Sequence, residues 1–483
     1  MKTFFTPLLI SIGLLISNPG DANDERNELS TLPELGDPSQ QALPLQQERE
    51  MGQALVAYLQ HNGLLVQDPD LRSYLDSLTN QLLGWVKTPY PLSFYIIDDP
   101  SINAFAAPGG IIALHTGLIL ASQTESELAS VVAHEMAHIS QRHAARNYAL
   151  AQKLSLPTAA AMLAAILIGS QSPAAAQAAI IGVQAGSIQN QLNYSRSHER
   201  EADSIGMQIL HQANIDATGM SDFFLRLQQQ SRYSGNQIPP FLSTHPVTDE
   251  RIANAQDRNR HQKGQGRRDS LGFHLARIKL LTRYTTDPQQ TLFQLSKQDS
   301  NNPLVKDAAR YGQALILQKT GRYSQARNIL SSLVKKHPDE IQFILALARV
   351  ENDASNSQQA LAYYQAAYDT FFNNPVLILD YSRLLSQQRQ FTKALSLLKP
   401  LTQQTSAYQS DAWYLFADTL YQSGNTAIAK ESMAEYFLLS GNVAAAIGQL
   451  KQALESSNLH ITDRERITAR LSELKRNRPH SNE

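Results

Sequence analysis

His134, Glu135 and His138 fall within the run VVAHEMAHIS at 131–140. On a helix, four residues turn a side chain through about 400°, so the two imidazoles leave the same face one turn apart. Side chains so placed can both reach one ion at about 2.0–2.1 Å. Glu135 points about 100° away from His134, near enough to touch a water on that ion without binding the ion itself. Zinc lowers the pKa of such a water towards ~7, and a carboxylate can take its proton as it attacks a peptide carbonyl. The run therefore offers two ligands, His134 and His138, and a base, Glu135. Val131, Val132, Ala133, Met136, Ala137 and Ile139 around them are apolar, so the helix is expected to be mostly buried and its polar groups to need partners. The plainer alternative is a satisfied core histidine pair with a surface glutamate.

A third ligand is sought in SRSHEREADSIGMQIL (195–210). Glu199 and Asp203 share a helical face. Ala202 and Gly206 on it would permit close approach of another helix, and Leu210 continues it into a core. Carboxylates running into a core need a cation or a donor. Glu199 is assigned as third ligand and Asp203 as the acceptor that orients a ligand imidazole. Glu201, about 200° from Glu199, and His198, about 100° from it, are the alternatives. The chain has no cysteine, so any metal must be held by His and carboxylates.

The elements that must position these groups follow from periodicity. Helices are expected over 45–65 and 70–86, a strand over 91–98, and a PGG turn at 108–110 leading into 111–117. The histidine-bearing helix is expected over 124–149, with Thr124 as N-cap and Glu127 three residues on. Residues 156–190 are alanine-rich and apolar but break at GSQSP, leaving pieces too short to span a membrane. A buried helical hairpin is the plainer reading of them. A mobile apolar flap making peripheral contact with a membrane or unfolded polypeptide is the sharper one. The basic stretch 251–283 reads as a solvated connection containing a helix.

The C-terminal third repeats. Ala326, Ala360 and Ala394 are 34 residues apart, with Ala314, Ala348 and Ser382 twelve before them and Leu333, Ala367 and Leu401 seven after. That period, with small residues where two helices cross, is the tetratricopeptide signature, and stacked repeats present a concave surface suited to polypeptides. A further unit is expected near Ser410, and another with Gly441, Ala446 and Ala453.

The chain's 483 residues suit two or three domains, and a composition 42 % hydrophobic and 18 % charged suits folded ones. A net charge of −1 gives no global attraction for nucleic acid, and 251–283 carries no interleaved stacking aromatics, so no nucleic-acid partner is expected. Lys2, the apolar run 4–17 and Gly20–Ala22 read as an export signal cleaved after Ala22, which points to the periplasm.

HEMAH followed by SRSHEREAD resembles the zinc metallopeptidases related to the HtpX heat-shock membrane protease and the CAAX prenyl endopeptidases. NAFAAPGGIIALHTGL (103–118) is similar to the strand preceding the zinc helix in that family, and the likeness runs over about 45–260. The resemblance implies one zinc ion per chain on His134, His138 and Glu199, with Glu135 as base. It implies an edge strand, with Asn103, Ala104 and Phe105, that pairs with the substrate backbone. A THP segment like that in FLSTHPVTDERI (241–252) occurs in these relatives. It makes His245 either a group near the zinc, as a latency-keeping fourth ligand or a transition-state donor, or simply a loop-positioning residue. A fourth ligand would have to move, because catalytic zinc needs an open position. His143, about 140° round from His138, is expected at the surface near the helix end. His115 is expected on the edge strand. The export signal and repeats look like periplasmic members of the family. They imply a role in outer-membrane protein assembly and in degrading stalled outer-membrane proteins, with the barrel-assembly machinery as a partner through the repeats.

The expected fold is mainly α: a zincin-like metallopeptidase domain with a small β-sheet, then an α-solenoid of tetratricopeptide repeats. The expected boundaries are a signal at 1–22, the peptidase domain at 23–265, a linker and connecting helix at 266–306, and the repeats at 307–483. The rival to a zinc endopeptidase is a non-catalytic chaperone or assembly scaffold with a structural zinc.

Overall fold

An apolar stripe at helical spacing builds α1 (Leu45–His61), which buries Leu55 and Leu59. Helix α2 (Pro69–Leu83) starts where Asp68 accepts from the amides of Asp70 (3.0 Å) and Leu71 (3.2 Å), with proline at the first helical position. The computed structural model describes residues 42–153, 196–233, 239–260, 266–298, 301–457 and 459–476. The expected export signal (1–22) and the apolar segment 156–190 lie outside the described residues.

Three strands form one sheet: β1 (Ser93–Ile97), β2 (Ala104–Ala107) and β3 (Ile111–His115), in the order β1-β3-β2. β1 runs parallel to β3, and β2 antiparallel to it, with Ala104 opposite Leu114 and Ala107 opposite Ile111. The hairpin turns through Gly109 and Gly110, both at positive φ; a Cβ on Gly109 would lie 2.7 Å from the Glu48 carbonyl oxygen of α1. β1 and β2 are therefore the two edges, and His115 lies on the central strand rather than on an edge. Its Nδ1 meets Ser101 Oγ at 2.9 Å, away from the other histidines.

After α3 (Thr116–Ala121) comes α4 (Glu125–Ser140), the helix carrying HEMAH. Thr124 Oγ1 accepts from the Glu127 amide at 3.4 Å, and the Glu127 carboxylate accepts from the Gln123 amide at 2.8 Å. Every residue from Glu125 to Ile139 is buried. The expected helix over 124–149 is broken. Arg142 takes φ +50°, and α5 (His143–Lys153) starts in a new direction. This bend is pinned because Arg142 donates to the Leu43 carbonyl (2.8 Å) and to Glu48 Oε1 (2.9 Å), both buried contacts.

Helix α6 (Arg196–Gln212) crosses α4 closely; a Cβ on Gly206 would stand 3.2 Å from the His134 backbone nitrogen. Helices α7 (Thr218–Tyr233), α8 (Pro240–Thr244) and α9 (Asp249–Arg258) close the N-terminal unit. The stretch expected as a solvated connection is largely packed. In α10 (Leu271–Tyr284), Phe273, Ala276 and Leu280 join the N-terminal core, while Leu275 joins the core of the following helices.

Helix α11 (Pro288–Lys297) precedes antiparallel pairs: α12 (Pro303–Lys319) with α13 (Tyr323–Lys336), α14 (Ile341–Asp353) with α15 (Ser357–Phe371), and α16 (Pro375–Gln387) with α17 (Phe391–Gln403). The array ends with α18 (Gln409–Gln422) and α19 (Thr426–Leu439), then α20 (Val443–Leu454) and α21 (Ile461–Arg476). The small residues of the 34-residue period, Ala314, Ala326, Ala348, Ala360, Ser382 and Ala394, are all 0 % exposed. The architecture is thus mainly α, an N-terminal unit with a three-stranded sheet followed by tetratricopeptide-type repeats.

The repeats grip the N-terminal unit at α2. Buried Asp70 accepts from Arg349 Nη1 at 2.6 Å and Nη2 at 3.1 Å and also pairs with Lys279, while Arg349 Nε donates to Asp380 at 2.6 Å. Burial opposes the Asp70 charge, but Arg349 and Lys279 outweigh it and hold the carboxyl well below its usual range. Asp70→Asn is expected to cost about 3 kcal/mol of stability near neutral pH, since it breaks a buried pair from one side. A carboxyl depressed in the folded state stabilises above its unfolded pKa of about 3.9 and stops doing so as pH falls through the folded value. The gap between wild type and variant in urea unfolding should therefore shrink below about pH 4.

Candidate active site

Two elements supply most of the site. Because α4 is enclosed on every side, His134, Glu135 and His138 are each no more than 2 % exposed. Helix α6 lays Glu199 and Asp203 across that face, as the spacing implied. The loop after α8 adds His245, 0 % exposed, its backbone amide held by the Phe241 carbonyl at 2.7 Å.

His134, His138, Glu199 and His245 each offer a ligand atom, and these atoms lie within 4.8 Å of one another. His134 Nε2 is 3.0 Å from His138 Nε2 and 3.3 Å from His245 Nδ1. Glu199 oxygens lie 3.5 Å from each of the first two nitrogens and 3.1 Å from the third. A tetrahedron of zinc ligands at 2.0–2.1 Å has edges of about 3.3 Å, so the donor set fits such an ion in spacing and in chemistry.

His134 Nδ1 lies 3.0 Å from Asp203 Oδ1. Arg251 locks Asp203 with two contacts at 2.7 Å, and its third nitrogen meets Glu199 Oε2 at 2.7 Å and the Pro246 carbonyl at 2.9 Å. Burial disfavours the Glu199 and Asp203 charges, yet both carboxyls sit below their usual range. His245 and His134 do this for Glu199, and Arg251 and His134 for Asp203. Without a metal, burial pulls the His134 imidazolium down, but Asp203 and Glu199 overcome this and lift it to about 9. Burial and the neighbouring His134 push His138 the other way.

Glu135 is different. Its carboxylate oxygens make no regular hydrogen bond within the protein, and burial raises its pKa. His245 Nε2 lies 3.4 Å away, and the Ala106 amide of β2 also favours its charged form.

Of the three strand residues, Ala104 alone turns its backbone groups outward. The His115 amide donates to the Asn103 carbonyl at 3.0 Å, so in the antiparallel register Asn103 and Phe105 bond inward to β3, while Ala104 and Ala106 face away from it. Phe105 packs instead with Leu55, Leu59 and Ile111.

Sequence reasoning missed Arg251, His143 and Ala106. Arg251, only 4 % exposed, was hidden in a basic stretch. The signal for it was the pair of buried carboxylates on α6, which exceeds what one divalent ion neutralises once Glu135 is added. His143 is 0 % exposed rather than superficial, because α4 stops at Ser140 and the bend at Arg142 swings it back. Its Nδ1 is 2.7 Å from His138 Nδ1, and burial with the nearby His198 lowers its pKa to about 4. The alternatives for the third ligand lie outside the donor set: Glu201 pairs with His143 (3.2 Å) and Arg146 (3.0 Å), and His198 stacks on His143.

The model of peptidase family M48 matches residues 67–259. The β-barrel assembly-enhancing protease of Yersinia pestis is 33 % identical over 96 % of this chain and 96 % of its own. Its counterpart in Escherichia coli K12 is 32 % identical, covering 92 % of this chain and 91 % of its own. Among solved structures, yeast Tom70 overlaps 74 % of this chain and 82 % of its own with a TM-score of 0.29 and 14 % identity, too loose a likeness to build on.

Arg251→Met is expected to destabilise the metal-free chain by about 3–5 kcal/mol, because two buried carboxylates lose their cation. The urea midpoint of chelator-treated protein measures it.

Proposed function

This chain belongs to peptidase family M48, together with the β-barrel assembly-enhancing proteases, and from that premise we propose that it is a periplasmic zinc endopeptidase acting on misfolded or stalled outer-membrane proteins. The observation that carries the proposal is the convergence of His134, His138 and Glu199 at tetrahedral spacing beside the buried carboxylate of Glu135. His134 and His138 would hold the ion through Nε2 and Glu199 through a carboxylate oxygen. Zinc there supplies an electrophile that polarises the scissile carbonyl and acidifies water. Glu135 takes the proton of the attacking water and returns it to the leaving amine. Its raised pKa brings its proton affinity nearer to neutrality, where a general base works best. The outward-facing backbone groups of Ala104 pair with an extended substrate, laying it along the edge of the sheet near Glu135. Asp203, locked by Arg251, keeps the Nδ1 proton of His134 and so presents Nε2 to the ion.

His245 would be the fourth donor through Nδ1 while its Nε2 faces Glu135, which supports a latent resting state that opens when His245 moves aside. The N-terminal export pattern supports the periplasm, and no helix among the described residues is long and apolar enough to cross a membrane. The repeats recruit substrate or the barrel-assembly machinery, a reading supported by their concave stacking and by relatives named for β-barrel assembly. The same closed four-donor set favours a second reading, a non-catalytic assembly factor whose zinc is structural. The presence of Glu135 weighs against it, because a structural site has no use for a base.

Glu135→Gln separates the two. It should keep one zinc per chain and lose cleavage of an unfolded polypeptide by at least ~10²-fold. Cleavage at the wild-type rate would rule out the assigned base. Full rescue of a null strain by the variant would favour the assembly factor.

A further inference from the structure

A second line of buried polar groups leaves His138 on the side away from the donor set. His138 turns Nε2 towards His134, so its Nδ1 points outward, 2.7 Å from Nδ1 of His143. His143 Nε2 then meets Glu201 Oε2 at 3.2 Å, and Arg146 holds that oxygen at 3.0 Å. We propose that His143 is a positioning residue for His138, and that with Glu201 it forms a relay setting how tightly His138 holds the ion. The inference rests on His138 being a metal ligand.

The proton positions follow from the contacts. An imidazole that gives its Nε2 lone pair to a metal carries its proton on Nδ1. His138 therefore donates from Nδ1, and His143 Nδ1 accepts. A neutral His143 accepting there has its remaining proton on Nε2, which donates to Glu201. The opposite tautomer would aim a lone pair at the carboxylate. Glu201 thus selects the form of His143 that can serve His138. His143 is itself held in place by the bend at Arg142 and by stacking on His198, with ring centroids 4.2 Å apart and planes 12° apart.

The two ligand imidazoles are consequently unlike. His134 donates to a carboxylate, Asp203, that Arg251 clamps twice. His138 donates to a neutral imidazole whose own partner, Glu201, is half-exposed. An ionised acceptor strengthens such a bond more than a neutral one. His138 is therefore the ligand whose hold depends on a removable neighbour.

The test is zinc affinity of the full chain, measured by competition with a chromophoric chelator, beside the urea midpoint of the metal-free protein. His143→Leu is expected to weaken zinc binding ~10–100-fold. His143→Asn, whose amide oxygen can accept where Nδ1 does, should recover most of the loss. Glu201→Ala, at a half-exposed position that tolerates substitution, should weaken binding several-fold with an unchanged urea midpoint. Wild-type affinity in Glu201→Ala, or equal losses in His143→Leu and His143→Asn, would overturn the relay. A wild-type chain that takes up no zinc, or undiminished binding in His138→Ala, would instead overturn the ligand assignment beneath it.

Discussion

Burying two imidazoles and a carboxylate on one enclosed helix obliges the surrounding elements to balance their charge. Everything about the peptidase unit answers to that obligation. Helix α6 brings two more carboxylates, and Arg251 from α9 joins both of them, so the anionic side of the site is neutralised by a group outside the donor set. A cation on one side and imidazole nitrogens on the other leave a small volume bounded by donors at tetrahedral spacing. Close approach of α6 to α4 at Gly206 makes this possible, since a side chain there would press on the His134 backbone.

The legible parts of the site are those where helical geometry alone decides. His134 with His138, and Glu199 with Asp203, sit at i and i+4, so their faces could be inferred and their meeting argued from the cost of isolated buried charge. The repeats were legible for a similar reason: a fixed period with small side chains at the crossings leaves few other packings. His143 was misread because the helical wheel was carried past Ser140. The bend there depends on Arg142 reaching Leu43 and Glu48, contacts about a hundred residues away in sequence that no local pattern encodes. Arg251 was misread because it was judged with its basic neighbours rather than with the carboxylates it serves.

The edge strand fails for a third reason. β2 is buried on both faces, so no alternation of polar and apolar residues marks its register. Whether odd or even residues turn their backbone outward is settled by pairing with β3, where the His115 amide meets the Asn103 carbonyl. That parity directs Ala106 towards Glu135.

Helix α10 belongs to two cores at once: Phe273, Ala276 and Leu280 fill the peptidase unit and Leu275 the first repeat, while Lys279 reaches Asp68 and Asp70 on α2. The two halves are therefore not modular in the sense of beads on a string. A gene truncation or fusion that cut before Leu271 would strip the peptidase unit of three core side chains and a partly buried cation. A recombination breakpoint that preserves an intact peptidase core lies after Tyr284, and an ancestral fusion of peptidase and repeats had to carry this shared helix as a common inheritance.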